Sequence, residues 1–248
     1  MNELTFEQRL WNALSSQEVE NVKARHTYLH GRTDTVTEFA TMWALNKNCS
    51  WAHGFGRMRG VDQVWYGSVN QYDQMAMENW LEMHKIYPEV GGKDPRPLME
   101  NSVHTLVADV VEVAADGKSA RTSYFTPGLI SSRLTPEQKR YCNVLWERYG
   151  ADFVYENGKW LYLHEHVCPD IPGRLDCGNW AHDGYVRDSA PDTGEYMPAT
   201  LGAPPPVTDP GPLHRDYTCT QPPQDDPHWP EPYETLDDDN TYAYLIRE

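Results

Sequence analysis

Apolar and polar residues alternate along "KWLYLHEHV" (Lys159–Val167). A pleated strand there puts Trp160, Tyr162, His164 and His166 on one face and Leu161, Leu163, Glu165 and Val167 on the other. The prolines of "CPDIP" predict that this strand ends at Pro169. Asn157-Gly158 joins it to an alternating run, "RYGADFVY", and an Asn-Gly pair between two such runs is a strong hairpin signal. "VHTLVADVVEV" and "SARTSYFTP" form a second pair around Asp116-Gly117. The N-terminal part carries the helical period instead. "SSQEVENVKARHTYLHGR" offers Ser16 as an N-cap and a line through Val19, Val22, His26 and Leu29. A second helix is predicted over "DTVTEFATMWAL" from an Asp34 cap, and "CSWAHGF" reads as a short strand. A third helix falls within "GVDQVWYGSVNQYDQMAMENWLEMHKIYP", stopped by Pro88, and "LTPEQKRY" reads as a helical insertion. Helices followed by an antiparallel meander predict an α+β fold.

Past Pro169 the pattern dissolves into proline and glycine ("APPPVTDPGP", "TQPPQDDPHWPEPYETLDDDN"), a composition too poor in apolar surface to fold by itself. Trp180, Tyr185, Tyr196, Tyr217, Trp229, Tyr233, Tyr242 and Tyr244 recur through it. The chain is therefore divided into a domain over residues 1–170 and an irregular, extended arm over residues 171–248. The arm's rings are expected to pin it to its own domain or to a neighbouring subunit. A net charge of −16 repels polyanions, so neither nucleic acid nor an anionic membrane is an expected partner. No apolar stretch approaches the roughly 20 residues of a spanning helix, and the N-terminus lacks a signal-peptide pattern. The five cysteines include no CxxC pair, which disfavours a disulfide framework or zinc knuckle and makes a reducing cytoplasm the expected location.

Four stretches give the chain a likeness to a known family: "VKARHTYLHGRTDTVTEFATMWA", "CSWAHGFGRMRGVDQV", "VHTLVADVVEVAADGKSARTSYF" and "RYGADFVYENGKWLYLHEHV". In this order they resemble the SnoaL-like branch of the nuclear transport factor 2-like (NTF2-like) superfamily, over roughly residues 15 to 168. The resemblance implies a cone: N-terminal helices packed on a curved, mostly antiparallel sheet, with the proline-rich arm outside it. It also implies dehydratases, isomerases, cyclases and diarylpropane lyases that work without metal or organic cofactor, beside noncatalytic binding modules. It further implies a homodimer or homotrimer. Where family dehydratases carry an acid/base histidine near the start of the central strand, this chain has His104. A helix tyrosine that polarises substrate corresponds best to His26, with Tyr28 close by. The acid common five residues later is Gly31 here, which speaks against a ketosteroid-isomerase mechanism. Asp34 matches a second common acid.

On these grounds His104, His26, Tyr28, His53 and Arg57 are the candidate catalytic residues. Trp51, Tyr66, Tyr124, Tyr149, Tyr162 and His164 are the candidate substrate-binding residues. Histidine titrates nearest neutrality, which suits proton transfer. His26 and His30 lie one helical turn apart on the core-facing side, and Trp51 and His53 share a strand face. Each of these residues has an ordinary structural use as well. The expected function is a cofactor-independent lyase that dehydrates a hydrophobic hydroxylated aromatic substrate. It can be extended to a quinone methide with release of formaldehyde, as in lignin-derived diarylpropanes. A steroid or polyketide dehydratase or isomerase is an alternative, and a ligand-binding module another. A metal enzyme built on His164 and His166 with His53 or His104 is a weaker possibility, and no metal is expected.

Overall fold

The computed structural model describes residues 4–31, 34–45, 48–53, 56–65, 101–131, 142–174, 209, 214–215, 222–237 and 241–244. Tyr66, the expected third helix beyond Trp65 and the expected helical insertion lie outside these residues.

Helix α1 (Phe6–His30) begins ten residues before the predicted Ser16 cap. Thr5 and Gln8 form a reciprocal capping box, Gln8 N donating to Thr5 Oγ1 (3.2 Å) and Thr5 N to Gln8 Oε1 (2.8 Å). Ser16 sits inside the helix and donates to the Asn12 carbonyl instead. Helix α2 (Thr35–Met42) starts at the expected Asp34 cap, but it stops at Met42. Trp43 turns extended and bridges to Tyr162 of the sheet, which accounts for the earlier end.

The sheet is mixed and unclosed. Its strands are β1 (Ser50–His53), β2 (Gly56–Arg59), β3 (Asn101–His104), β4 (Val107–Val113), β5 (Ser119–Ser131), β6 (Cys142–Glu156) and β7 (Lys159–Arg174), with a short helix α3 (Gly60–Trp65) after β2. The order is β2-β1-β7-β6-β5-β3, with β4 also pairing β5. Every pairing is antiparallel except β1 with β7. The run read as one strand before Asp116 is thus two, both laid on β5. The Asn157-Gly158 hairpin is as tight as expected, with both residues at positive φ (53° and 80°) and Glu156 opposite Lys159.

β7 does not stop at proline. It runs on to Arg174, because its register against β6 slips at Glu147–Pro169 and a bulge needs no ladder donor there. A second slip matters more. Asp152 faces His164 while the next β6 residue, Phe153, faces Tyr162, so Leu163 is an extra residue. Alternation therefore restarts at Leu163. Trp160 and Tyr162 share the inner, helix-facing side with Leu163, Glu165 and Val167, whereas His164 and His166 point to the outer side.

On the inner side Val19, Phe39, Met58, Val64, Phe153 and Tyr162 form the centre of the core. The outer side receives the described parts of the C-terminal region. Arg121 lies 3.7 Å from the ring centre of Tyr233, and Asp152 accepts the backbone N–H groups of Tyr242 (3.2 Å) and Ala243 (3.1 Å) in a short 3-10 turn, Tyr242–Tyr244. Gly150 lets this cover approach: a Cβ there would lie 2.7 Å from Pro227 Cγ and 3.3 Å from Ala243 Cα. Gly150→Ala is expected to cost about 1–3 kcal/mol of unfolding free energy by overpacking. Chemical denaturation checks this, and a wild-type midpoint would show that the cover is not seated as described.

Candidate functional site

The inner face gathers a cluster of imidazoles, carboxylates and phenols between α1, α2 and the sheet. Val19, Lys23, His26 and His30 follow the helical period down α1, so the two histidines face the sheet. Their rings stack at 5.4 Å, His30 meets His104 edge-on at 5.1 Å, and His26 lies 5.7 Å from the Tyr162 ring. From α2, Glu38 takes the Nδ1–H of His26 at 2.8 Å. Strand β6 contributes Glu147 and Tyr149, two positions apart and on one face. Glu147 accepts from the Tyr149 hydroxyl (2.9 Å) and from Thr126 of β5 (3.4 Å). Its Oε2 is 3.6 Å from His104 Nδ1, and its Oε1 is 4.0 Å from His53 Nε2. Next to it, the bulge in β7 aims Glu165 inward, where the Tyr124 hydroxyl donates to it at 2.9 Å and Trp51 also hydrogen-bonds it. The Tyr124 and Tyr149 rings stack at 5.1 Å, so two parallel phenols hold two carboxylates.

Burial and neighbouring charges make these groups titrate far apart. For His26 burial is the largest influence and works downward. The charge and hydrogen bond of Glu38, with further charge from Glu165, outweigh it and hold the imidazolium up at about 9. For His104 the Glu147 carboxyl, 3.6 Å from Nδ1, does not offset burial. Burial, then the neighbouring histidines His30, His26 and His53, push it down to about 3, and His30 falls to about 4, mainly by burial. His53 is also lowered by burial, but a third of its side chain is open, so solvent moderates the drop. Burial raises Glu147 to about 7 against the hydrogen bonds of Tyr149 and Thr126, and raises Glu165 too. At neutral pH the face therefore holds a cationic His26, a neutral His104 and a Glu147 carboxyl balanced between its two forms. The Nε2 of His104 is buried and has no hydrogen-bond partner among the described residues. A neutral imidazole with a carboxylate at its other nitrogen can take a proton and give it back.

His104, His26, His53, Trp51, Tyr124, Tyr149 and Tyr162 are thus brought to one face. Three of the sequence-derived candidates are not. Tyr28 points to solvent with 76% of its surface exposed, since it lies on the opposite side of α1 from His26 and His30. Arg57 pairs with Ala52 in the β1–β2 register, which turns it to the outer side, where it binds Asp209 (2.9 Å) and covers the Tyr244 ring (4.5 Å). His164 bonds Ser50 on that same outer side at 2.7 Å. The bulge likewise parts His164 and His166 from His53 and His104, so the four do not converge on a metal; among the described residues no His/Cys/Asp/Glu group does. Tyr66 lies outside the described residues. Asp34 is a cap, accepting Thr37 N–H at 3.4 Å.

Glu38, Glu147 and Glu165 are the residues that sequence reasoning missed. They supply carboxylates to the inner face although Gly31 stands where the family's acid is common. Glu38 was visible as an acid on the apolar stripe of α2 (Thr35, Glu38, Phe39, Met42), and Glu147 as an acid in phase with Tyr149 on an alternating strand. Glu165 was hidden by the bulge.

No family model and no curated protein matches the sequence. Among solved structures, the chain is similar to a LinA-type3 hexachlorocyclohexane dehydrochlorinase from Novosphingobium barchaimii (12% identity, TM-score 0.44, covering 69% of this chain and 94% of that one). An NTF2-like protein with a cystatin-like fold from Novosphingobium aromaticivorans matches at 16% identity and a TM-score of 0.44, covering 67% and 90% of the two chains. A nuclear transport factor 2 (NTF2-like) superfamily protein from Salmonella enterica matches at 13% and 0.43, covering 63% and 92%. The chain itself lays two N-terminal helices over a mixed, unclosed sheet.

Proposed function

We propose that the chain is a lyase that removes water from a hydrophobic, hydroxylated aromatic substrate with side-chain acid and base alone. The observation that carries this reading is the buried, unpartnered Nε2 of His104, with Glu147 3.6 Å from the other ring nitrogen. Neutral His104 takes a proton from the carbon next to the carbinol, and the electron pair of that C–H bond becomes the new double bond. Glu147 steadies the imidazolium, which then returns its proton to the departing hydroxyl as water. The cationic His26 faces the negative charge that builds on a phenol or carbonyl oxygen, and in a dry site such stabilisation supplies several kcal/mol.

Within this class, Trp51, Tyr124 and Tyr149 suit a two-ring phenolic diol. Loss of the benzylic hydroxyl and the phenolic proton as water gives a quinone methide. Deprotonation of the neighbouring hydroxymethyl group then releases formaldehyde, and the electrons of the broken C–C bond restore the aromatic ring. Glu147, titrating near neutrality, would equally serve a proton shift in an enone, which keeps an isomerase as the second reading.

Incubation with hydroxylated diaryl and steroid panels, followed by mass spectrometry, tests this. Loss of water, or of water and formaldehyde, is expected. Conversion without mass change favours the isomerase, and a ligand that raises Tm without product favours a binding module. The pH profile of kcat/KM should be a bell. Activity rises through about 7 as Glu147 ionises and falls through about 9 as His26 loses its proton. Glu147→Gln should remove the acidic limb; a limb that survives assigns it to another group.

A further inference from the structure

The inner carboxylate Glu165 is held from behind. The Tyr244 hydroxyl reaches the sheet from the outer side, at the seam where β1 joins β7, and donates to the main-chain carbonyl of Glu165 at 3.1 Å. A carbonyl can only accept, so the single phenolic proton is committed to it. The Tyr244 oxygen must then accept from Ser50 Oγ (2.8 Å), and Ser50 in turn accepts the Nδ1–H of His164 (2.7 Å). Every donor in the row from His164 through Ser50 and Tyr244 to Glu165 therefore points one way. His164 is buried and neutral, since burial and then the charges of Arg57 and Arg59 push it down to about 4, and it can hold that tautomer.

The end of the row is itself fixed. Asp152 accepts the N–H groups of Tyr242 and Ala243, His166 Nδ1 donates to the Ala243 carbonyl at 3.1 Å, and the Arg57 guanidinium covers the Tyr244 ring. Asp152 and His164 are the very pair beside the extra residue Leu163 that turns Glu165 inward.

We propose that Tyr244 is a positioning residue for the inner site: its hydroxyl fixes the Glu165 peptide just past the β7 bulge and so aims the Glu165 carboxylate at Tyr124, Trp51 and His26. The proposal rests on the acid–base reading above in so far as it predicts a rate. Its structural half stands apart from that reading. The C-terminal turn thus belongs to the catalytic apparatus although it touches only the opposite side of the sheet. Backbone that bulges needs an outside hold to keep one side chain in one place.

Tyr244→Phe tests this in the full chain, since it removes one hydroxyl and keeps the ring under Arg57. kcat is expected to fall about tenfold with KM within about twofold, the mark of misaimed groups rather than lost binding. The decisive readout needs no substrate. Glu165 is among the charges that raise His26, so Glu165→Gln should lower the His26 midpoint seen by NMR, and Tyr244→Phe should move it in the same direction. Should Tyr244→Phe fail to fold, Tyr244→Met, which likewise lacks the hydroxyl that donates to Glu165, takes its place with the same expectation. A His26 midpoint equal to that of wild type overturns the proposal, whether or not kcat falls. If wild type turns over no member of the panels, the lyase reading fails, while the His26 titration still decides the role of Tyr244.

Discussion

His104→Gln is expected to lower kcat on a turned-over substrate about a thousandfold, in the middle of the range that a positioned proton-transfer group contributes. The same substitution should leave the unfolding free energy within about 1 kcal/mol of wild type. The two halves follow from one fact. His104 Nε2 is buried without a partner, so the fold gains no hydrogen bond from it and bears the cost of desolvating it. Catalytic sites commonly hold groups whose burial costs the fold stability. Tyr28→Phe is the matched control: the hydroxyl of a tyrosine 76% exposed has no part in the inner face, and kcat should not change. Steady-state kinetics and denaturant unfolding on the same preparations give both numbers. An unchanged kcat in His104→Gln would remove it from the mechanism and shift the proton transfer to Glu147.

How much of this could be read from the chain depended on whether the period held. Along α1 it holds for 25 residues, so His26 and His30 were placed correctly even though the cap was assigned to Ser16 rather than Thr5. On β1 it also holds, and Trp51 and His53 were rightly paired on a face. The Asn157-Gly158 turn fixes its own hairpin by its positive φ angles, which almost no other pair would adopt. β7 is where reading failed. One extra residue in a strand exchanges the faces of everything after it. An unbroken alternation across Leu163 therefore assigned His164 to the cavity and Glu165 to the outside, the reverse of the structure. Nothing in "YLHEH" signals the bulge, because its cause is distant: Asp152 on β6 is engaged by the C-terminal turn, and His164 opposite it is engaged by Ser50. The acids were overlooked for a different reason. A carboxylate on an apolar stripe reads as a lapse in the pattern, yet in Glu38 that lapse is the partner that charges His26.

Glu38→Gln should erase a stability window at alkaline pH. His26 is raised from an ordinary value of 6.5 to about 9, so its protonation favours the folded state. That contribution is complete below pH 6.5 and is lost as pH climbs through about 9. The 2.5-unit displacement corresponds to about 3 kcal/mol, and because only 12% of the His26 side chain is exposed, solvent screening takes little of it. Wild type should accordingly lose stability between pH 6.5 and 9. Glu147 and Asp152 do not mimic this. Both are raised to about 7, mainly by burial, so the stability they cost on ionising is already spent by that pH. Lys23, lowered by burial, works in the opposite direction at the alkaline end, and comparing two proteins at each pH cancels it. In Glu38→Gln the nearest carboxylate is gone and the weaker pull of Glu165 is left to oppose burial, so the imidazole should be largely neutral across the window. The gap between wild type and variant should be widest near pH 6.5 and close toward pH 9, and the alkaline limb of the kcat/KM bell should move to lower pH with it. Urea unfolding at several pH values between 6 and 9 measures the gap directly. Parallel stability curves would mean that His26 is not charged in the folded protein, and the oxyanion-stabilising role assigned to it would fall with that charge.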